Sequence, residues 1–131
     1  FKEGFPSFAP LQVGFDATVF ENVSEGNALY MRTSDGQVGN ATAADGTSEA
    51  ATVVGFANAS ATANQTTKVI VTGLKTLDSL NAGDLFYLSA TSPGGITITP
   101  PSSAGQAVTR VGEASSATDL AIHIEPPILL R

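Results

Sequence analysis

The sequence has no cysteine and no tryptophan, and it carries a single histidine among 131 residues. Without thiols there is no disulfide framework, no thiolate nucleophile and no sulfur-ligated metal site. Charge is also scarce: Asp, Glu, Lys and Arg make up 14% of the chain, against roughly 25% in ordinary soluble domains. Cations are the rarest of these. Lys2, Arg32, Lys68, Lys75, Arg110 and Arg131 are scattered, and the net charge is -6. Sequence-independent nucleic-acid binding needs Lys and Arg to neutralise phosphates, so no nucleic acid is expected as a ligand. The same acidity disfavours an anionic membrane surface, and no apolar run approaches the roughly 20 residues of a spanning helix, so no membrane partner is expected.

Constellations for catalysis are thin as well. His123 lies in Ala121-Ile-His-Ile-Glu125, a strand pattern that puts Ile122 and Ile124 on one face and His123 on the other. A general base needs a nucleophile or proton donor within reach. No Gly-x-Ser-x-Gly or His-Glu-x-x-His motif accompanies it, so His123 is expected at a surface or an interface. Of the acidic residues, Glu25, Asp35, Asp45, Asp84 and Asp119 sit in turn-like surroundings, where carboxylates satisfy backbone donors. Asp35-Gly36 lacks the further oxygen ligands and terminal Glu of a calcium loop. The expectation is a protein that is not an enzyme and has no metal or cofactor.

What the chain does contain is small polar residues, β-branched residues and a repeat. Ser24-Glu-Gly-Asn-Ala-Leu-Tyr-Met31 aligns with Asn81-Ala-Gly-Asp-Leu-Phe-Tyr-Leu88, 57 positions later. Thr52-Val-Val-Gly-Phe-Ala-Asn-Ala59 aligns with Thr109-Arg-Val-Gly-Glu-Ala-Ser-Ser116 at the same offset. The shared Gly26/Gly83 permits a tight turn before a short strand, and Tyr30/Tyr87 fits core packing better than a partner-facing role. Gly55 and Gly112, inside strands, mark bulges or close backbone approach.

Strands are expected at 13–23 (with a break), 28–32, 51–57, 68–72, 84–89, 96–99, 107–114 and 120–124. Residues 13, 15, 17 and 19 should share one face of the first strand. Residues 39–50 and 60–67 read as small polar loops, and 73–81 as a connector with one helical turn over 76–80. Short strands with Gly or Pro turns every 8–12 residues define an all-β class. The expected fold is a small β-barrel or sandwich of two pseudo-repeated β-meanders with extended N- and C-terminal arms. Its divisions are an arm over 1–12, one β domain over 13–125 (units about 13–73 and 74–125) and an arm over 126–131.

The arms lie outside both copies of the repeat. Phe5, Phe8 and Pro10 fall in the first, where proline denies a sheet the N–H its ladder needs. Ile128, Leu129 and Leu130 follow Pro126-Pro127 in the second. Exposed apolar segments are unfavourable in a free monomer, so these six residues are candidate interface positions. Contact with another chain and folding back on the chain's own body both satisfy that constraint.

Several strings resemble tailed-bacteriophage capsid decoration (cement) proteins. They are Leu80-Asn-Ala-Gly-Asp-Leu-Phe-Tyr-Leu-Ser-Ala90, Gly94-Gly-Ile-Thr-Ile-Thr-Pro-Pro101, Gly105-Gln-Ala-Val-Thr-Arg-Val-Gly112 and Ile122–Leu130, with Val53-Val-Gly-Phe-Ala57 and Lys68-Val-Ile-Val-Thr-Gly73 in the first half. The C-terminal pattern is also similar to modules of phage tail-fibre proteins. The resemblance spans about residues 13–130. It implies a homotrimer on the outer capsid surface of the virion, bound to the major capsid protein and clamping neighbouring capsomers. The alternative it leaves open is a tail-fibre or receptor-binding module. The family offers no catalytic residues to carry over.

Overall fold

A computed structural model describes residues 12–131, and Phe5, Phe8 and Pro10 of the expected N-terminal arm lie outside the described residues. The fold is all-β. Its strands are β1 (Val13–Thr18), β2 (Ala28–Met31), β3 (Val38–Asn40), β4 (Gly55–Ala57), β5 (Thr66–Thr76), β6 (Leu85–Leu88), β7 (Ile96–Thr97), β8 (Ala107–Val108), β9 (Arg110–Ala114), β10 (Asp119–Ile122) and β11 (Ile128–Leu129). One 3-10 turn, Glu49–Ala51, is capped by the Ser48 hydroxyl accepting from the Ala50 N–H. Nine strands form a strongly curled antiparallel sheet in the order β3-β2-β4-β5-β10-β9-β6-β7, with β1 added on β5. β8 and β11 form a separate two-stranded ladder.

That order reads the same from both ends once the repeat is taken into account. β2 corresponds to β6, β3 to β7, β4 to β9 and β5 to β10. Leu29 pairs with Gly55, and Phe86 with Gly112; Ala28 pairs with Phe56, and Leu85 with Glu113. All four pairs are related by the 57-residue offset. The entry turns match bond for bond. Gly26 donates to the Ala57 carbonyl at 2.9 Å and Gly83 to the Ala114 carbonyl at 2.7 Å, with φ of +86° and +92°. Gly55 and Gly112 also share a reason. A Cβ on either would lie 2.6 Å from the Ile70 carbonyl oxygen or 2.5 Å from that of Ala121, so each lets the next strand approach closely.

β5 is the longest strand because it serves both copies. Its first part pairs with β1 (Thr18↔Thr66 to Val13↔Thr72) and β4, and its last part, Gly73 to Thr76, pairs with β10. The connector expected over 73–81 therefore begins only after Thr76, and the helical turn expected over 76–80 does not form. Gly73, at φ +110°, carries the strand onward, and the turn falls later, where Ser79 adopts φ +63°. Inside β1 the odd-numbered set is the more buried: Ala17 and then Val19 are buried and Phe15 is half-buried, although Val13 at the strand's start is exposed.

The two copies bury different faces. Leu29 and Ala57 join Val19, Val23, Val38 and Val69 in a core belonging to the first copy. On the opposite face of the same strands, Ala28 and Phe56 join a larger core with Leu80, Phe86, Leu88, Val111, Ala114 and Leu120 of the second copy. At the position equivalent to fully buried Phe56, the second copy carries exposed Glu113. One copy thus covers the back of the other, and the uncovered back ends in a charge.

The stretch read as a polar loop, 39–50, helps to make this junction. Ala41 and Ala43 within it, and Ala51 just beyond it, are fully buried. Backbone bonds stitch the segment to the second copy, from Gly94 N to the Ala41 carbonyl (2.7 Å), from Ala43 N to the Ser89 carbonyl (3.0 Å) and from Ala107 N to the Ala43 carbonyl (3.0 Å). Lys75 is nearly buried and donates to Glu25 Oε2 at 3.0 Å, tying β5 to the first copy's turn.

Two stability measurements check this account. Phe56→Ala should cost about 3–5 kcal/mol in urea unfolding, the usual range for emptying a buried Phe site, while Glu113→Ala should be near neutral. Gly83→Ala should cost about 1 kcal/mol through its left-handed φ, and Gly26→Ala more, because Leu77 Cδ2 lies 2.9 Å from where the Cβ would sit.

Candidate functional site: the C-terminal apolar corner

The site is built from the point where β10 stops. Beyond Ile122 the chain still follows β9, with His123 N donating to the Val111 carbonyl (2.9 Å) and Glu125 N to the Arg110 carbonyl (3.0 Å). Pro126 and Pro127 have no N–H to continue that ladder. The chain crosses to β8 instead, where Ile128 pairs with Val108 and Leu129 with Ala107. Leu130 N then donates to the Gln106 carbonyl, and the Leu130 carbonyl accepts from Gly105 N, both at 2.8 Å. β8 is itself held by the Ala107–Ala43 bond, so the segment rests on the interior junction.

Of the six positions singled out in the sequence, the structure brings Ile128, Leu129 and Leu130 together at this corner. They lie on the chain's own body rather than along a projecting arm, because β8 offers a ladder edge directly after the two prolines. Leu129 leans over Gly46, where a Cβ would come within 2.6 Å of its Cδ1. Docking does not bury them all: Leu130 is half-buried, Leu129 is 36% exposed and Ile128 is 64% exposed. Among the described residues β11 has β8 as its one strand neighbour, so its outer edge is open. An exposed β-branched side chain on an open edge is suited to pairing with another segment through backbone bonds and apolar contact.

Sequence reasoning missed another exposed apolar residue. Ile98, 55% exposed, stands just past β7 at the lip of a cleft of about 410 Å³ floored by Leu80, Phe86 and Ile96. Alternation from Ile96 places Ile98 on the same face as a core residue, and only the early end of β7 at Thr97 leaves it uncovered.

On the first copy, Tyr30 packs edge-on to Phe20 at 5.8 Å, and the Arg32 guanidinium lies 4.0 Å above the Phe20 ring. Period-2 spacing puts Tyr30 and Arg32 on one side of the chain. Phe20 joins them through its N–H to the Val38 carbonyl (3.0 Å), a contact that no local pattern announces. Burial, then Glu21 and Glu49, raise the Tyr30 hydroxyl above its ordinary pKa. The second end of Arg32 is forked onto Asp35, at 3.1 and 2.6 Å. That bond, followed by the Gln37 N–H, holds the Asp35 carboxyl below its ordinary value.

His123 is exposed, with Nε2 3.4 Å from Glu125 Oε2. Among the described residues no three His, Asp or Glu side chains gather as a metal site, and no helix is long and apolar enough to cross a membrane. No protein-family model matches the chain, and no curated protein matches it.

The Arg32–Asp35 fork has a pH signature. A folded pKa lowered below the unfolded one means that Asp35 contributes its stabilisation above the unfolded pKa and loses it as pH falls through the folded value. NMR titration of the Asp35 carboxyl should give a midpoint below the ordinary 3.8, and Arg32→Ala should move it upward.

Proposed function

We propose that the chain is a virion structural protein, a decoration (cement) protein of the outer capsid surface that stabilises contacts between major capsid protein subunits as a homotrimer. The observation that carries this reading is the C-terminal corner, with Ile128 and Leu129 exposed yet fixed to a doubled β body through β8. The rest of the surface supports it: few Lys and Glu suit a contact from which water is expelled, since interface cores are depleted in charge. The resemblance of the Gly-Asp-Leu-Phe-Tyr-Leu and Gly-x-x-Val-x-x-Val-Gly strings to cement proteins supports it too.

The action is mechanical. Apolar area buried between the decoration protein and two capsid subunits must be re-exposed before those subunits separate, which adds to the free energy of disruption. No bond is made or broken. A trimer strengthens a small contact, because three linked footprints leave the surface only when all release together.

Copy number and occupancy test the reading. Removing residues 1–10 should lower occupancy on purified capsids by roughly tenfold or more through lost avidity, while circular dichroism of the β body stays unchanged. Unchanged occupancy would refute the role of the arm. A copy number that scales with the capsid lattice fits decoration, whereas a handful of copies confined to the tail would replace it with the tail-fibre reading.

A further inference from the structure

We infer that the cleft beneath Ile98 receives the C-terminal corner of a second copy of this chain, so that copies associate head to tail. The cleft has an apolar floor of Leu80, Phe86 and Ile96, and Asp78 and Asp84 stand on its rim. No described cation pairs with either carboxylate. Its natural occupant is therefore an apolar segment with a cation beside it.

The chain's described cations leave one such segment. Arg32 is committed to Asp35 and Phe20, and Lys75 is nearly buried against Glu25. Lys68 stands opposite Asp16 across the β1–β5 ladder. Arg110 is half-buried, with its Nε enclosed. Among the described cations Arg131 is exposed and lies two and three positions along the chain from the exposed Leu129 and Ile128. In a chain of net charge -6, copies repel one another in general, so a cationic side chain at this corner meeting an acidic-rimmed cleft orients the approach.

Cleft and corner are different surfaces of the same chain. Their union is heterologous, and it either closes into a ring or continues as a filament. One cleft lined by about ten residues is a small footprint beside the roughly 20–30 residues a side of a stable pairwise interface, so closure with several contacts is the form that persists. The contact gives a geometry to the homotrimer proposed above and rests on that reading only for the number three.

Charge reversal tests it on the full chain by sedimentation velocity over a concentration series. The unaltered protein should assemble. Arg131→Glu and Asp84→Lys should each raise the concentration of half-assembly about tenfold or more, and combining both should restore assembly to within about threefold. Circular dichroism checks that each variant folds, and Asp78→Lys replaces Asp84→Lys if the latter does not. A monomeric unaltered protein, single reversals without effect, or a double variant that stays dissociated would each overturn the contact. The capsid assay separates the two proposals: a monomer that still decorates capsids overturns this contact and the trimer but leaves the decoration role standing, and a ring-former absent from virions overturns the decoration role and leaves this contact standing.

Discussion

The burial of Phe56 beneath the second copy is the constraint from which the rest follows. A β-meander of four or five short strands has two faces, and in the first copy both are apolar. Leu29 and Ala57 point to one, Ala28 and Phe56 to the other. Such a unit cannot be stable alone in water, since its second face would remain wet. The second copy supplies the cover, with Phe86, Leu88 and Val111 closing over Phe56. The curl of the sheet, the shared strand β5 and the insertion of the 41–51 segment all bring that cover into place.

Pseudo-symmetry here is local and stops where burial ends. The turn glycines, the pairings across β2–β4 and β6–β9, and the close approach at Gly55 and Gly112 are duplicated because backbone geometry is the same in both copies. The exposure of the two backs is not duplicated. Exchanging an aromatic ring for a carboxylate at one position marks one back as interior and the other as surface. A charge at that position discourages a third unit from stacking there, which is how repeated architectures end.

How far the sequence discloses this varies with range. Strand alternation, the 57-residue repeat and the turn glycines depend on neighbours within a few residues, and so the all-β class and most strands are readable. The run 39–50 misleads because alanine and threonine suit a loop and a small-residue core equally well; only the topology shows that Ser89, Gly94 and Ala107 await its backbone. Gly73 reads as a terminator, yet it continues β5. The corner at Ile128 and Leu129 could be singled out by composition, but its docking on β8 depended on where the chain goes after Pro127. Ile98 and the Arg32–Phe20 stack required a third dimension.

The sharing of β5 has a consequence for synthesis. The ribosome releases the first copy complete, with β1 to β5 able to pair, before the residues that cover Phe56 have emerged. In that interval the nascent chain presents an apolar sheet face with an unsatisfied strand edge at Gly73 to Thr76, the features through which partly folded β chains associate wrongly. The order of the elements therefore makes the first half of the protein depend on the prompt arrival of the second. A slow stretch of translation after Thr76 would expose the protein to misassembly in a way that the finished fold does not reveal.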